Sequence, residues 1–332
     1  MTNSNPAKLM FLMCLILGTF ISISSNSWFT TWLGLELNLM AFIPLISTSS
    51  NPYSSESALK YFLIQALGSA VILISASLSS IIQPKPLTFI LLALLLKMGA
   101  APVHFWFPPV VQGMSWPQCL LLMTIQKIAP MVLISYTIMG PASSFLIIMS
   151  SVLSSMVGAI GGLNQTLLRK ILAYSSINHM AWMLAAISTS SKMWITYMLV
   201  YSLILSSLVM ILNINQAFHF KQLSSIPSTP MKMISFLSLF SLGGLPPFLG
   251  FIPKLMVIKL LCESNEIMWL LFLLSSALLT LFYYTRISLS IFTLSSPKFK
   301  TSIFLKVPWT YYSLSFVNFT PLLFPVLFTF QL

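Results

Sequence analysis

The sequence predicts an all-α polytopic membrane protein of about eleven transmembrane helices, and three observations lead there. Of 332 residues, 57% are hydrophobic and only 6% are charged, whereas a soluble domain carries roughly 25% charged residues. Mean hydropathy is +0.94, which leaves too little polar surface to face water on all sides. The apolar residues also fall into long runs, and a helix needs about 20 of them to cross about 30 Å of hydrocarbon.

Reading those runs against polar, Pro and Asn/Ser breaks places the spans in order. The first is 9–25; it has no small-residue cleavage site with a soluble domain behind it, so it reads as a span and not a leader. Runs 28–46 and 57–80 follow, then 87–106, 116–138 and 143–163. The seventh, 167–188, is apolar except for a patch from Tyr174 to His179, and the eighth is 192–215. The ninth, 231–262, is too long for one simple crossing and carries Gly243-Gly244-Leu245-Pro246-Pro247 in its middle. Runs 267–292 and 312–331 complete the set, and the connections are short, the longest about 216–230 and 293–311. The chain therefore reads as a single transmembrane domain over 1–332, with no extramembrane domain.

The charges support this count. If the N-terminus is on side A, then Lys8, Lys60, Arg169, Lys170, Lys221, Lys232, Arg286, Lys298, Lys300 and Lys306 fall on side A, and Lys85, Lys192 and Lys259 on side B. Glu263 and Glu266 are also on side B. Positive residues favour the cytoplasm-equivalent side, so side A is the matrix if the protein is mitochondrial. The net charge of +12 thus reflects membrane orientation and not a nucleic-acid partner. The chain holds no Asp, Walker motif or GxGxxG, which removes two-Asp catalysis, EF-hands and nucleotide loops. Cys14, Cys119 and Cys262 are far apart with no CxxC, so they read as packing residues and not as a metal or cluster site.

Four charges remain inside spans: Glu36, Lys97, Lys127 and Lys254. Each costs about 2.5–3.5 kcal/mol at the bilayer centre on insertion scales. Glu36 is eight residues into the second run, Lys97 ten into the fourth and Lys127 eleven into the fifth, while Lys254 follows the break in the ninth. Lysine, unlike arginine, can give up its proton when desolvated. A Glu/Lys set at mid-depth therefore reads as a proton relay. The alternative is a static ion pair that holds helices together, but one carboxylate neutralises one lysine and not three. His104, seven residues after Lys97, is expected about two turns along the same helix face, and His179 lies mid-span; both titrate near neutrality and can pass protons through water. His219 falls in a loop and reads as interfacial.

Two spans are expected to be broken. The fourth contains Lys97-Met98-Gly99-Ala100-Ala101-Pro102, and the ninth contains Gly243, Gly244, Pro246 and Pro247, then Gly250-Phe251-Ile252-Pro253-Lys254. Pro removes a backbone bond and Gly loosens a helix, and such a break is tolerated at membrane depth only beside protein or water. Pro130 is expected to kink the fifth span. Splitting spans one to ten into a first repeat (about 9–138) and a second (about 143–292) makes the broken helix fourth in each. Five is odd, so the halves are inverted, which is the pattern of ion transporters.

Five segments, in order and over nearly the whole chain, resemble the NADH dehydrogenase subunit 2 family of respiratory complex I. They are Trp32-Leu33-Gly34-Leu35-Glu36-Leu37-Asn38, Lys97-Met98-Gly99-Ala100-Ala101-Pro102-Val103-His104-Phe105-Trp106, Gln126-Lys127-Ile128-Ala129-Pro130, Arg169-Lys170-Ile171-Leu172-Ala173-Tyr174-Ser175-Ser176-Ile177-Asn178-His179-Met180, and Gly243-Gly244-Leu245-Pro246-Pro247-Phe248-Leu249-Gly250-Phe251. The match is nearest the mitochondrially encoded arthropod form.

The resemblance implies an antiporter-like fold of two inverted five-helix repeats, related to Mrp-type sodium/proton antiporters. Animal members have eleven spans, with broken helices at spans four and nine. It implies that Glu36, Lys97, Lys127 and Lys254 are the pumping residues and that His104 and His179 line the axis between them. It further implies a membrane-arm subunit coupling electron transfer from NADH to ubiquinone with proton translocation in the mitochondrial inner membrane. The N-terminus would be in the matrix, and the C-terminus, after a last helix at about 312–331, on the intermembrane side. No cofactor is expected in the chain itself; FMN, iron–sulfur clusters and ubiquinone would belong to partner subunits. Expected partners are other membrane-arm core subunits, accessory subunits and phospholipids including cardiolipin, with no nucleic acid. Two other functions share these residues: a free-standing sodium/proton antiporter, and a structural membrane-arm subunit with no proton path. A channel is disfavoured, because no repeated ring of filter residues exists.

Overall fold

The computed structural model describes residues 6–47, 51–79, 86–138, 140–190, 192–226 and 229–293. The helix expected at 312–331 lies outside the described residues, as do Lys85, Lys298, Lys300 and Lys306. The described residues form thirteen α-helices and one short 3-10 helix, with no strand. The chain divides into two compact units between Ser154 and Ser155.

The first unit contains α1 (Pro6–Ser24), α2 (Trp28–Ile46), α3 (Pro52–Ser79), α4 (Pro86–Met98), α5 (Phe107–Gly113), α6 (Trp116–Met123) and α7 (Ile125–Thr137). Local chemistry sets several of their ends. Ser27 caps α2 by accepting a hydrogen bond from the Thr30 amide at 3.3 Å. The Ser115 amide donates to Gln118 Oε1 at 2.7 Å, one arm of the capping box that starts α6. The Gln118 amide nitrogen also donates to the Leu45 carbonyl near the end of α2, at 2.5 Å.

Helices α1 and α2 meet backbone to backbone. A Cβ at Gly34 would lie 2.6 Å from the Ser22 nitrogen, and one at Gly18 would lie 2.9 Å from the Gly34 oxygen. Only glycine permits that approach, the small-residue packing by which helices associate in lipid. The opposite face of α1 exposes Leu9, Met13, Leu17 and Phe20. With apolar residues on both faces, α1 has the surface of a helix that meets protein on one side and lipid on the other.

Helix α8 (Pro141–Leu163) carries the division between the units, and the second unit continues with α9 (Leu168–Thr189), α10 (Met193–Ile214), the 3-10 helix (Phe220–Ser225), α11 (Thr229–Gly243), α12 (Phe251–Glu263) and α13 (Ile267–Thr293). Hydroxyls inside these helices bond back to their own backbone: Ser176 to the Ala173 carbonyl at 2.7 Å and Ser238 to the Ser235 carbonyl at 2.9 Å. A serine satisfied this way can enter an apolar interior without an orphaned donor. Helix α9 is the centre of this unit; every residue from Ser175 to Ile187 is buried, and α10, α12 and α13 pack around it.

Among the described residues, α1, α2, α3, α6 with α7, α8, α10 and α13 are long and apolar enough to cross a membrane. Helix α9 falls short of that standard because of its patch from Tyr174 to His179. Being enclosed by protein, it needs no lipid-compatible surface.

The structure corrects one expectation from the sequence, the place of His104, and adds detail in two other stretches. The run 87–106 is not one helix: α4 stops at Met98 and the next helix begins at Phe107. His104 therefore lies in the connecting turn and not two turns along the face of Lys97. In the run 116–138 the discontinuity is at Thr124, which joins α6 to α7 with φ −116° and ψ −79°; Pro130 sits inside α7. The connection 216–230 is not wholly irregular, since it holds the 3-10 helix and pairs back through the Leu168 amide to the Phe218 carbonyl at 2.8 Å.

Candidate functional site: buried lysines at helix ends

The ends of α4 and α11, which fall in the two stretches where breaks are expected, are closed in the same way. At the end of α4, Gly99 has φ +74°. Its amide donates to the Leu96 carbonyl and the Ala100 amide to the Leu95 carbonyl, both at 3.1 Å. At the end of α11, Gly244 has φ +77°. Its amide donates to the Ser241 carbonyl at 3.1 Å and the Leu245 amide to the Phe240 carbonyl at 3.4 Å. Each is a Schellman cap, which needs a left-handed residue that glycine supplies at no steric cost. The prolines are therefore not the breaking residues. Pro102, Pro246 and Pro247 lie beyond the helix ends, where they keep the helix from resuming.

A helix end leaves carbonyls without intrahelical partners, and side chains take them up here. At α4, Trp106 Nε1 donates to the Leu96 carbonyl at 3.1 Å and Gln65 Nε2 to the Lys97 carbonyl at 3.0 Å. At α11, Lys254 Nζ donates to the Gly243 carbonyl at 2.8 Å. Lys97 sits in the last turn of α4. Both lysines thus lie where a helix presents its negative end, which favours a cation.

Lys254 is 5% exposed, and its ammonium stands 5.9 Å from the Trp182 ring centre on α9. Gly244 is shaped to it: an added Cβ would lie 2.9 Å from Lys254 Nζ and Cδ. Gly244→Ala is expected to drive the ammonium off the Gly243 carbonyl and to strain the backbone by about 1–2 kcal/mol. A map of the variant assembly checks this, the expected result being a Lys254 Nζ no longer within hydrogen-bond reach of Gly243.

In the first unit, Lys127 in the first turn of α7 is 1% exposed and its Nζ lies 5.1 Å from the Phe107 ring centre, a cation–π geometry. Glu36 on α2 and Lys97 on α4 form no contact ion pair; among the described residues the salt bridge is Lys60–Glu56. Glu36 Oε2 is buried with no hydrogen-bond partner among those residues. His104 is buried and its Nδ1 lies 3.2 Å from the Pro102 carbonyl, inside its own turn.

Neutral polar groups that the sequence reading passed over surround Lys97. Gln126 Nε2 donates to Asn38 Oδ1 at 2.7 Å, and Tyr61 Oη donates to Gln126 Oε1 at 3.4 Å. Asn38, Tyr61, Gln65, Lys97 and Gln126 line a small cavity of about 10 Å³, room for one water molecule. The available signal was polar residues four apart in apolar helix, Tyr61 and Gln65 on α3.

In the second unit, His179 Nδ1 is 2.9 Å from the Tyr197 hydroxyl. The Tyr201 ring lies 4.9 Å from the imidazole, centre to centre. The Asn178 side-chain oxygen accepts from Ser276 at 3.1 Å. The structure thus places Glu36, Lys97 and Lys127 on α2, α4 and α7 of one unit, and His179 and Lys254 on the packed pair α9 and α12 of the other. Among the described residues, no cluster of His, Cys, Asp or Glu could hold a metal ion.

Comparison with known proteins bears on what such a site does. A family model described as "NADH:quinone oxidoreductase/Mrp antiporter, TM" matches residues 25–85 and 76–280. NADH-ubiquinone oxidoreductase chain 2 of Anopheles gambiae is 46% identical over 299 residues, covering 87% of this chain and 86% of its own. The protein of that name from Peropteryx kappleri is 38% identical over 330 residues, covering 96% and 94%. Among solved structures, respiratory complex I from Thermus thermophilus contains a chain matching with TM-score 0.86 at 23% identity, over 98% of this chain and 80% of that one. A chain of the Mrp complex from Dietzia sp. DQ12-45-1b matches with TM-score 0.78 at 18% identity, over 86% and 60%. At those identities the two structures show a shared fold.

Proposed function

We propose, from the premise that the chain belongs to the NADH-ubiquinone oxidoreductase chain 2 family, that it is a proton-translocating, antiporter-like core subunit of the membrane arm of mitochondrial complex I. The observation that carries this reading is the pair Lys97 and Lys254, each buried at the Schellman-capped end of a helix. A cation held at such an end can lose its proton to a neighbour without the helix unwinding, because the cap satisfies the backbone independently of the charge.

In this reading α4 with α5, and α11 with α12, are the two interrupted spans of an eleven-span, inverted-repeat subunit of the inner membrane. Glu36 tunes Lys97 from a distance through its field. Neutralising Glu36 removes that field and releases the Lys97 proton toward Lys127. His104 belongs to the same unit's relay, and His179 and Lys254 form the relay of the second unit. Moving one charge through 100 mV takes about 2.3 kcal/mol, a demand within reach of charge changes at buried groups. The chain supplies no redox group; FMN, iron–sulfur clusters and ubiquinone belong to partner subunits. Its exposed apolar faces meet other membrane-arm and accessory subunits and phospholipids such as cardiolipin.

Proton pumping per electron in inner-membrane vesicles carrying Lys127→Met tests the proposal. A fall in pumping at normal assembly supports it. Unchanged pumping and electron transfer would make this a structural subunit with no proton path. Sodium/proton exchange by the isolated chain in vesicles would instead make it a free-standing antiporter.

A further inference from the structure

We infer that Tyr197 is the positioning residue of His179, holding the imidazole through both of its protonation states. The inference rests on the reading of His179 as a member of the proton relay, and it deepens that reading. It starts from the contact between His179 Nδ1 and the Tyr197 hydroxyl, 2.9 Å long. His179 is 8% exposed and Tyr197 2% exposed, so bulk water does not compete for the bond.

The partner chemistry is what matters. A histidine held by a carbonyl or a carboxylate at Nδ1 must keep a proton there, because such a partner only accepts. A tyrosine hydroxyl carries one donor and two acceptor lone pairs. When His179 is neutral with its proton on Nε2, the Tyr197 hydroxyl donates to Nδ1. When His179 is doubly protonated, the hydroxyl rotates and its oxygen accepts from Nδ1–H. The ring stays bonded in both states; Nε2 carries a proton in each, and the proton that distinguishes them is the one on Nδ1, facing the Tyr197 hydroxyl.

The surroundings favour this arrangement. From α10, Tyr197 and Tyr201 are one turn apart and flank the imidazole, with ring centres 6.0 and 4.9 Å away. From α13, Tyr284 lies close to Tyr201 and to Ser175 of α9. From α12, Lys254 stands over Trp182, three residues beyond His179 on α9. Tyr283, also on α13, packs on Tyr284 with ring centres 4.7 Å apart. The carboxylates of this unit, Glu263 and Glu266, are exposed at the turn between α12 and α13. Tyr197 thus fills the place that a carboxylate takes beside many functional histidines, without pinning the proton.

A double-mutant cycle in the assembled complex tests this, read as protons pumped per electron in vesicles. Tyr197→Phe keeps the ring and removes only the hydroxyl. We expect it to slow pumping about two- to tenfold, the worth of one buried hydrogen bond, at normal assembly. His179→Gln is expected to lower pumping further, and the double variant to be no worse than His179→Gln alone, because Tyr197 acts through His179. Losses that multiply would overturn the inference and leave Tyr197 as a packing residue. A loss with His179→Gln and none with Tyr197→Phe overturns the inference but leaves the relay standing. Normal pumping with His179→Gln removes His179 from the relay, and the inference with it. Should Tyr197→Phe fail to assemble, a map of the native complex decides: the hydroxyl is expected within about 3.2 Å of Nδ1, and a gap beyond about 4 Å, where no hydrogen bond survives, overturns the assignment.

Discussion

Lys97→Met is expected to stop proton transfer through the first unit while the subunit still assembles. Methionine has nearly the length of lysine and no titratable group. Removing the ammonium also removes a buried charge that costs about 2.5–3.5 kcal/mol on insertion scales, so the membrane fold should tolerate the change. The Schellman cap at Gly99 uses backbone groups only, and Gln65 and Trp106 still take the carbonyls at the end of α4. The loss therefore falls on chemistry and not on structure. A gap in a proton path that raises the barrier by more than about 1.4 kcal/mol slows transfer by over tenfold. The measurement is protons pumped per electron in vesicles with matched amounts of assembled complex. Wild-type pumping would make Lys97 a relic and refute the relay.

The second large effect is structural. Gly250 precedes α12, and an added Cβ would overlap the Ser241 carbonyl oxygen in the last turn of α11. Its φ is −67°, an ordinary value, so the constraint is close approach and not a left-handed backbone. The atom in the way is itself backbone and cannot rotate aside. Overpacking of this kind costs about 1–3 kcal/mol and sometimes more, a large part of the stability of an ordinary domain. Gly250→Ala is expected to reduce the assembled complex several-fold on native gels. Gly140→Ala, with nothing within 4 Å of its new Cβ, serves as the control and should assemble normally. Equal assembly of the two variants would refute the close contact between α11 and α12.

Most of the helices were legible because hydropathy is a local sum. The run 28–46 coincides with α2, 143–163 lies within α8, and 167–188 differs from α9 by a residue at each end. The lysines were legible for the same reason, since a charge in an apolar run stands out without any knowledge of its neighbours. Even α9, too polar for a lipid-facing helix, was found by its length and flanks. The placing of His104 failed because a helical projection assumes an unbroken helix, and the chain leaves the helix at Met98.

The sequence by itself thus determined the membrane character of the chain, the positions of its buried charges and the places where glycine ends a helix. These depend on composition and on backbone freedom within a few residues. The tertiary structure alone decided what each buried group meets. It set Lys254 on the Gly243 carbonyl, left Glu36 and Lys97 without a contact ion pair, tied Asn38 to Gln126 across 88 positions and gave His179 the Tyr197 hydroxyl. Each of those contacts depends on how helices cross and rotate against one another, and packing between distant segments sets that geometry where no local pattern records it.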